Sequence, residues 1–179
     1  MLEDKILLWK LKRGSADALR LLYEKYKNDL LALAIALSND KNMAEDAMHD
    51  TFVSFAQIAD KLQLRTNLKG YLLTTVANRV RNLKWAVSQN IALDEIDYAE
   101  TKSQGPVMRA ISAEQTERIG WALSELPYEQ REVVLMHLQA GLKFNAMAKT
   151  LGVSINTVQS RYRYGLEKMR HLLNGQVEK

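Results

Sequence analysis

The chain has 179 residues, enough for one ordinary domain or two small ones, and its 25 Lys and Arg outnumber its 21 Asp and Glu to give a net charge of +4. It contains no cysteine, which excludes disulfides and thiolate metal sites and fits a reducing cytoplasm. The segment before Gly14 lacks the long apolar core of a secretory signal, and the apolar run at 30–37 is too short to span a bilayer. We therefore expect a cytoplasmic protein.

The charges are distributed unevenly along the chain. Residues 61–85 contain six Lys and Arg and no acid, and residues 141–173 contain six against a single acid. Between these blocks, residues 86–140 hold nine acids against four bases. Because a uniformly solvated protein would more often intersperse the two signs, this distribution indicates two surfaces that face polyanions.

Hydrophobic residues recur with a period near 3.6 along most of the sequence, which predicts an all-α protein. Four helices are predicted in the N-terminal half. The first covers residues 4–13, and Ser15 supplies the N-cap of the second. Asn42 and Glu45 are predicted to form a capping box at the start of the third helix, and the fourth is predicted at 68–85.

The predicted third helix has two contrasting faces when its residues are placed about 100° apart. One is apolar and should be core: Ala44, Met48, Thr51, Phe52, Phe55 and Ala59. The other carries Val53 among polar side chains, which suits a surface for docking a partner. The alternative is that Val53 is an isolated exposed apolar residue, which is common. The polar neighbours are Asp46, Asp50 and Gln57.

Carboxylates and a histidine on the third helix raise the alternative of a metal site, formed by Glu45, Asp46, His49 and Asp50. A helical di-metal site needs a second carboxylate-and-histidine set on other helices, and the remaining histidines lie in no such motif. The sequence also offers no nucleophile or acid–base constellation. We expect no metal, no cofactor, no small-molecule substrate and no enzymatic activity.

The predicted fourth helix carries a polar and aromatic stripe opposite its core stripe. Paired amides can read base edges, Arg can bind phosphate, and an aromatic ring can stack on an unpaired base, so the stripe suits opened DNA. The alternative for Trp85 is packing against the linker or the C-terminal half. The predicted core residues are Leu72, Leu73, Val76, Val80, Leu83 and Val87. The polar stripe is Thr74, Asn78, Arg81, Asn82 and Trp85, flanked by Arg79 and Lys84.

A weakly periodic stretch follows at 88–112, rich in acids, Ser and Gln and interrupted by a Gly–Pro pair. Such composition predicts a flexible linker. The sequence thus predicts two small helical domains, at 1–87 and 113–179, joined by this linker.

The stretch from Leu126 to Leu173 has the pattern of a helix-turn-helix followed by a long basic helix. Pro127 suits a first helical turn, Gly141 and Gly152 suit helix ends, and Ser154 suits an N-cap. The alternatives without a DNA-binding role are an ordinary packed helical bundle and a basic helix face that is simply solvated. The predicted apolar positions are Val133, Val134, Leu135 and Leu138 in the first helix and Ile155, Val158, Tyr162, Leu166, Met169 and Leu173 in the last.

The sequence motifs of both halves resemble those of bacterial sigma factors, and most of all those of the extracytoplasmic function (ECF) group. The C-terminal match is LP-x-x-x-R-E-V followed by A-x-x-LGVS-x-x-TV-x-SR, and the N-terminal motifs are AEDAMHDTFVSF and NLKGYLLTTVANRVRN. The resemblance covers Ala18 to Trp85 and Leu126 to Leu173. It implies a transcription initiation factor that binds core RNA polymerase and promoter DNA and is restrained by an anti-sigma factor.

The resemblance also implies a role for each half. The N-terminal helices would dock on the β′ coiled coil of polymerase and, with the loop at 62–69, recognise and melt the −10 element. The C-terminal half would approach the β flap and read the −35 element. The implied polymerase contacts are Asp46, His49, Asp50, Val53 and Gln57. The implied −10 contacts are Thr74, Asn78, Arg79, Arg81, Asn82 and Trp85. The implied −35 contacts are Ser154, Asn156, Thr157, Gln159, Ser160, Arg161 and Arg163.

The chain departs from the family pattern at three places. His49 stands where Gln is common, and Asn145 and Ala146 stand where paired acids are usual. Gly165 stands where the family prefers Ala; because Gly costs about 1 kcal/mol in a helix interior, we expect a bend there.

Two other functions fit parts of the sequence. A stand-alone helix-turn-helix regulator would share the C-terminal motif but have no use for the stripe at 74–85. A sigma mimic that titrates an anti-sigma factor would keep the docking faces without directing transcription.

Overall fold

The computed structural model describes residues 2–62, 68–91 and 113–174, with the backbone alone at 90–91 and 113–116. These residues form eight α-helices and no strand, which confirms the predicted all-α fold. The chain divides into two compact units, residues 1–100 and 101–179, and each is described by itself. The division falls inside the predicted linker, of which residues 92–112 lie outside the described part, so the domain bounds stay a prediction.

The first unit consists of four helices, and its helix boundaries follow from local chemistry. After α1, Gly14 adopts a φ of +84°, and the Ser15 hydroxyl accepts a hydrogen bond from the Ala18 amide at 3.3 Å, as predicted. Asn39 ends α2 in the left-handed region with a φ of 57°. The helices are α1 (Leu2–Lys12), α2 (Ala16–Ser38), α3 (Lys41–Ile58) and α4 (Leu68–Ile91).

The predicted capping box on α3 is wrong. Asp40, directly after the left-handed Asn39, is the N-cap, and its side chain accepts from the Met43 amide at 3.0 Å. Asn42 and Glu45 therefore lie within the helix. Asp is as good an N-cap residue as Asn, so the sequence pattern alone did not separate the two starts.

The core of the first unit lies where α2, α3 and α4 pack together. The predicted apolar face of α3 is buried throughout, and Leu22 and Leu33 of α2 are fully buried against it and α4. The core prediction fails at the end of α4, where Leu83 is half-buried and Val87 is 47% exposed.

The failure at Val87 has a positional reason. Lys84 Nζ donates to the carbonyl oxygen of Ser38, the last residue of α2, at 3.3 Å. The turns of α4 beyond this contact extend past the end of α2, and residues 85–89 are all exposed. The helix reaches Ile91, six residues past its predicted end at Trp85.

The second unit packs α5, α6 and α7 against the long helix α8. Gly152, with a φ of +66°, is the C-cap of α7 as predicted. Gly141 also has a positive φ of +64°, but α6 ends earlier, at Leu138 with Gln139 as its C-cap, so Gly141 lies in the turn that follows the helix. Pro127 is the N-cap of α6 and precedes its first turn. The helices are α5 (Ala113–Ser124), α6 (Tyr128–Leu138), α7 (Phe144–Leu151) and α8 (Ile155–Asn174).

Arginines hold the helix ends of the second unit. Arg131, buried in α6, donates from Nη2 to the Leu126 carbonyl at 3.1 Å, and Arg118 donates from Nη2 to the Leu173 carbonyl at 2.9 Å. Each bond satisfies a carbonyl at or near a helix terminus, where intrahelical partners are lacking. The carbonyl contact of Arg118 joins α5 to the last turns of α8.

Three predicted core positions of the second unit are wrong, because Leu138, Ile155 and Leu166 are exposed. Leu138 is the last residue of α6, and Ile155 is the first of α8, so each stands where its helix leaves the bundle. At Gly165, where a bend is predicted, α8 continues without a break from Ile155 to Asn174. Gly165 is instead buried against α6.

None of the described helices has the length and hydropathy required to cross a membrane.

Candidate functional site

The outward face of α3 is the predicted polymerase-docking surface. The opposite side of the helix is anchored by buried residues including Phe52 and Phe55, so α3 is held in a fixed orientation. Val53 is 42% exposed among polar neighbours, as the sequence pattern predicted. The structure places all five predicted docking residues on the surface: Asp46, His49, Asp50, Val53 and Gln57.

A shallow groove adjoins this face between α2 and α3, and sequence reasoning missed its α2 side. Asp46 and His49 line it from α3. Lys27 lines it from α2, with its ammonium group 5.8 Å from the centroid of the Tyr23 ring. The α2 residues of the groove are Tyr23, Lys27, Asn28 and Leu31. Among the described residues, no group of three or more His, Cys, Asp and Glu side chains is placed to hold a metal ion.

The predicted −10 stripe lies along one side of α4. Its inner residues Thr74, Asn78 and Arg81 are half-buried, whereas Asn82 is exposed and Trp85 is 66% exposed. Within the described part of the chain, Trp85 is therefore open to solvent, which is what stacking on a base requires. The stripe is accessible from outside the unit.

Several polar groups of this stripe are already engaged within the first unit. Arg79 donates from Nη2 to the Ser54 hydroxyl of α3 at 2.5 Å, so it joins α4 to the docking helix. Arg81 donates from Nη2 to Asn78 Oδ1 at 2.9 Å. The Thr74 hydroxyl donates to its own helix, at the Gly70 carbonyl. Sequence reasoning predicted DNA contacts for these residues but none of these internal bonds.

The loop implied in −10 recognition, at 62–69, is described only at its ends, since residues 63–67 lie outside the described part. At one end, Lys12 of α1 donates from Nζ to the Leu62 carbonyl at 2.9 Å. At the other, Lys69 pairs with Asp29 of α2 at 2.6 Å. Both ends are thus tied to helices of the same unit.

The predicted −35 reader begins at a well-formed helix start. Ser154 Oγ accepts from the Thr157 amide at 3.0 Å, as an N-cap does. On the opposite face of α8, Val158 and Met169 are buried in the core of the unit. Of the predicted contacts, Ser154, Asn156, Gln159 and Arg163 are exposed, and Thr157, Ser160 and Arg161 are half-buried.

Tyr164, which lies beside the predicted −35 contacts of α8, is an exposed residue that sequence reasoning missed. It is 51% exposed, and its hydroxyl accepts from Arg163 Nη2 at 3.2 Å. The Arg163 guanidinium also lies 4.9 Å from the ring centroid, within cation–π range. The available signal was its position four residues after Ser160, which places both on one side of the helix.

Three aromatic rings pack together where the helices of the helix-turn-helix meet. His137 of α6 stacks on Phe144 of α7 with centroids 4.8 Å apart and meets the edge of Tyr162 of α8 at 4.9 Å. His137 Nδ1 also lies 2.9 Å from the Leu142 carbonyl oxygen, to which it can donate. The cluster ties all three helices to the turn and so fixes the direction in which α8 leaves the bundle.

Comparisons with known proteins agree with this arrangement. The family model described as Sigma-70 region 2 matches residues 22–85, and the one described as Sigma-70, region 4 matches residues 116–169. The ECF RNA polymerase sigma factor EcfG of Rhodopseudomonas palustris is 27% identical over 144 residues, which cover 80% of this chain and 78% of the relative. The ECF RNA polymerase sigma factor SigX of Bacillus subtilis is 25% identical, over 86% of this chain and 82% of the relative.

Solved structures show the same fold. The sigma factor RpoE of Bartonella quintana, crystallised with the anti-sigma factor NepR, superposes with a TM-score of 0.72 at 22% identity, over 87% of this chain and 96% of the other. CnrH in complex with the cytosolic domain of CnrY gives a TM-score of 0.64 at 20% identity, over 97% and 98% of the two chains. With both sigma regions matched in order, the chain belongs to the ECF group of the sigma-70 family and is a transcription initiation factor that directs RNA polymerase to promoters, not an enzyme.

Proposed function

We propose that three surfaces divide the work of initiation: the α3 face docks on core RNA polymerase, the α4 stripe opens the −10 element, and the exposed side of α8 reads the −35 element. The observation that carries this proposal is the exposed amide-and-tryptophan stripe at the end of α4, formed by Asn82 and Trp85. A helix end that serves only packing would bury such an aromatic ring, because burial of its apolar surface is favourable. A ring held open beside amides suits unpaired bases.

The docking face supports the first part of the proposal. Asp46 and Asp50 are exposed in the turns of α3 before Val53, on the same face of the helix, and the buried core beneath them holds this face in place. An apolar centre with charged surroundings is how specific protein interfaces are built. The predicted contacts are the β′ coiled coil for the first unit and the β flap for the second, as the family resemblance implies.

The start of α8 supports the third part. The major groove accepts an α-helix, and the N-terminal residues of a recognition helix reach the base edges. Asn156 and Gln159 are exposed on the first turns of α8, directly after the Ser154 cap. Phosphate contacts would come from cations at the sides of the helix.

A protein partner that restrains the factor is also proposed. The solved structures of RpoE and CnrH each contain a second protein, which is named an anti-sigma factor in the first case. We propose a partner of this kind for this chain and action in the bacterial cytoplasm, where polymerase and promoter DNA are found.

A stand-alone regulator or a titrating mimic is less well supported. A regulator that consists of a DNA-binding module has no need of the match to Sigma-70 region 2. A mimic has no need of exposed amides and cations on both DNA-facing surfaces.

The experiment that tests the proposal is permanganate footprinting of unpaired thymines by the reconstituted holoenzyme. Asn78→Ala and Asn82→Ala should reduce the reactivity around −10, while both variants bind core polymerase as the wild type does. Unchanged footprints in the double variant would refute the −10 role of α4.

A further inference from the structure

The amide of Asn78 has a defined orientation. Arg81, three residues later on the same helix, donates from Nη2 to Asn78 Oδ1 at 2.9 Å. A guanidinium group carries only donors and no acceptor, so the group that faces it must be the amide oxygen and not the NH₂ group. The usual ambiguity between the two ends of an asparagine amide is therefore resolved here by the charged neighbour.

This orientation changes what Asn78 can offer to a base. An unconstrained Asn pairs with adenine by donating to N7 while accepting from the N6 amino group. Arg81 takes up one of the two lone pairs of the amide oxygen with a charge-assisted hydrogen bond, so this oxygen is a poorer acceptor for a base amino group than the oxygen of a free amide. The NH₂ end lies on the other side of the planar amide and is a pure donor, which pairs with a keto oxygen.

We propose that Arg81 is a specificity-determining residue that acts through Asn78. It orients the amide so that one position of the opened −10 strand is selected for a keto oxygen, as in thymine O4 or guanine O6, over the amino group of cytosine or adenine. This inference rests on the proposed role of α4 in handling the −10 element. It adds the class of base and a residue that sets it.

The neighbouring arginine supplies a matched control. Arg79 lies on the same helix and carries the same charge, but its Nη2 donates to the Ser54 hydroxyl of α3 at 2.5 Å. Removal of Arg79 lowers the positive charge beside DNA by the same amount and leaves the Arg81–Asn78 bond in place. A difference between the two variants therefore reports the orientation of the amide and not the loss of charge.

The test is run-off transcription by the reconstituted holoenzyme on promoters that carry each of the four bases at each −10 position in turn. At the position that loses selectivity in Asn78→Ala, the wild type should favour keto over amino bases about tenfold, since a good base contact discriminates by at least this much. Arg81→Ala should bring that ratio close to one and leave the other positions unchanged. Arg81→Lys, which keeps a donor, should retain part of the preference, and Arg79→Ala should retain all of it.

A second variant tests the direction of the preference. Asn78→Asp keeps an oxygen toward Arg81 and replaces the outward donor by an acceptor, so the preference should reverse toward amino bases. Polymerase binding and circular dichroism establish that each variant is folded and assembled.

Two outcomes would overturn the inference: a uniform loss of transcription on all promoters with Arg81→Ala, which is the behaviour of a phosphate contact, or an amino-base preference in the wild type at the Asn78-dependent position. If Asn78→Ala alters selectivity at no −10 position, the proposed role of α4 fails as well. The two failures are thus distinguished by whether an Asn78-dependent position exists.

Discussion

Gly165 of α8 lies so close to Val134 of α6 that a β-carbon on the glycine would stand 2.9 Å from Val134 Cγ2. Val134 is fully buried, and a β-branched side chain in a helix has essentially one rotamer, so it cannot turn away. The same β-carbon would also meet Gln130 Cβ at 3.4 Å. Glycine at this position therefore permits the close approach of α6 and α8.

Gly165→Ala should destabilise the second unit even though alanine is the better helix former. The gain in helix propensity is about 1 kcal/mol, and forcing an extra carbon into a packed interface costs about 1–3 kcal/mol. We expect a net loss of about 1 kcal/mol, measured by urea unfolding followed by circular dichroism. Val134→Ala removes the opposing methyl groups, so Gly165→Ala should cost less in that background.

Gly120→Ala is the matched control, because a β-carbon at this helical position of α5 meets nothing within 4 Å. It should show only the gain in propensity and stabilise the protein. Equal stabilisation by both substitutions would show that the contact of Gly165 with Val134 does not limit packing.

The sequence predicted the faces of the helices well because their phase is a local property. The full burial of the predicted α3 face and the exposure of its docking residues both follow from the period of 3.6. The period does not say where a neighbouring helix ends. For that reason Val87 and Leu138, which continue apolar stripes past the packed region, were assigned to the core although they are exposed.

Contacts between residues far apart in the chain could not be predicted from the sequence either. The bond from Arg79 to Ser54 joins residues 25 apart, and nothing in the local pattern of either helix predicts it. The bond from Arg81 to Asn78 spans one turn and was within reach of a spacing argument. The role of Gly165 depends on the distance between two helices, which helix propensity alone does not predict.

Asp50→Lys should weaken binding to core polymerase. Asp50 is exposed on the docking face beside Val53, and reversal of its charge would place a like charge against whatever cation it meets. We expect affinity to fall roughly tenfold at low salt and the deficit to shrink as salt rises. The measurement is titration of labelled protein with core enzyme at two ionic strengths.

Asp17→Lys provides the comparison, since Asp17 is also an exposed acid, at the start of α2, with a side chain 85% exposed. It should leave polymerase affinity nearly unchanged. If Asp50→Lys binds as tightly as this control does, the α3 face is not the docking surface.

The attachment of α1 to α2 should depend on pH. Asp4 Oδ1 accepts from Lys25 Nζ and from the Tyr26 hydroxyl, each at 2.8 Å. Burial raises the pKa of Asp4, but these bonds and the lysine charge outweigh it and hold the pKa below its usual range. A carboxyl with a depressed pKa stabilises the fold above its unfolded pKa, and this contribution is lost as pH falls through the folded value.

Asp4→Asn should therefore flatten the loss of stability that the wild type shows below about pH 4. Urea unfolding of the whole protein between neutral and acidic pH measures this slope. Asp17→Asn, which removes an acid that is largely solvated, should keep the wild-type slope. The same slope in all three proteins would mean that the Asp4 contacts contribute nothing to folding.

The contribution of Tyr26 to the stability of the fold has the opposite dependence on pH, because it is lost at high pH. Burial and the hydrogen bond to Asp4 raise the pKa of Tyr26 to about 12. A phenol with a raised pKa contributes stability that is full below its unfolded pKa and is lost as pH rises through the folded value. Tyr26→Phe should cost about 1 kcal/mol near neutral pH, and this cost should shrink in an Asp4→Asn background, where the acceptor is weaker.

Arg161 and Arg163 should differ in how they serve −35 recognition. They lie roughly 160° apart around α8: Arg163 is exposed and contacts the Tyr164 hydroxyl, whereas Arg161 lies nearer the buried face and is half-buried. Arg163→Ala should relax the preference for −35 sequence in run-off transcription. Arg161→Ala should lower transcription from all promoters alike and reduce the slope of log affinity against log salt by about 1.

Both variants should keep the binding to core polymerase that the α3 docking face provides, because neither residue lies on that face. A pull-down with core enzyme checks this directly. Equal loss of polymerase binding would place these arginines in the polymerase interface, and an unaltered salt slope in Arg161→Ala would remove its assignment as a phosphate contact. Base contacts select sequence, whereas phosphate contacts only position the helix. Promoter preference and salt dependence therefore distinguish the two roles, which the positive charge of both residues does not.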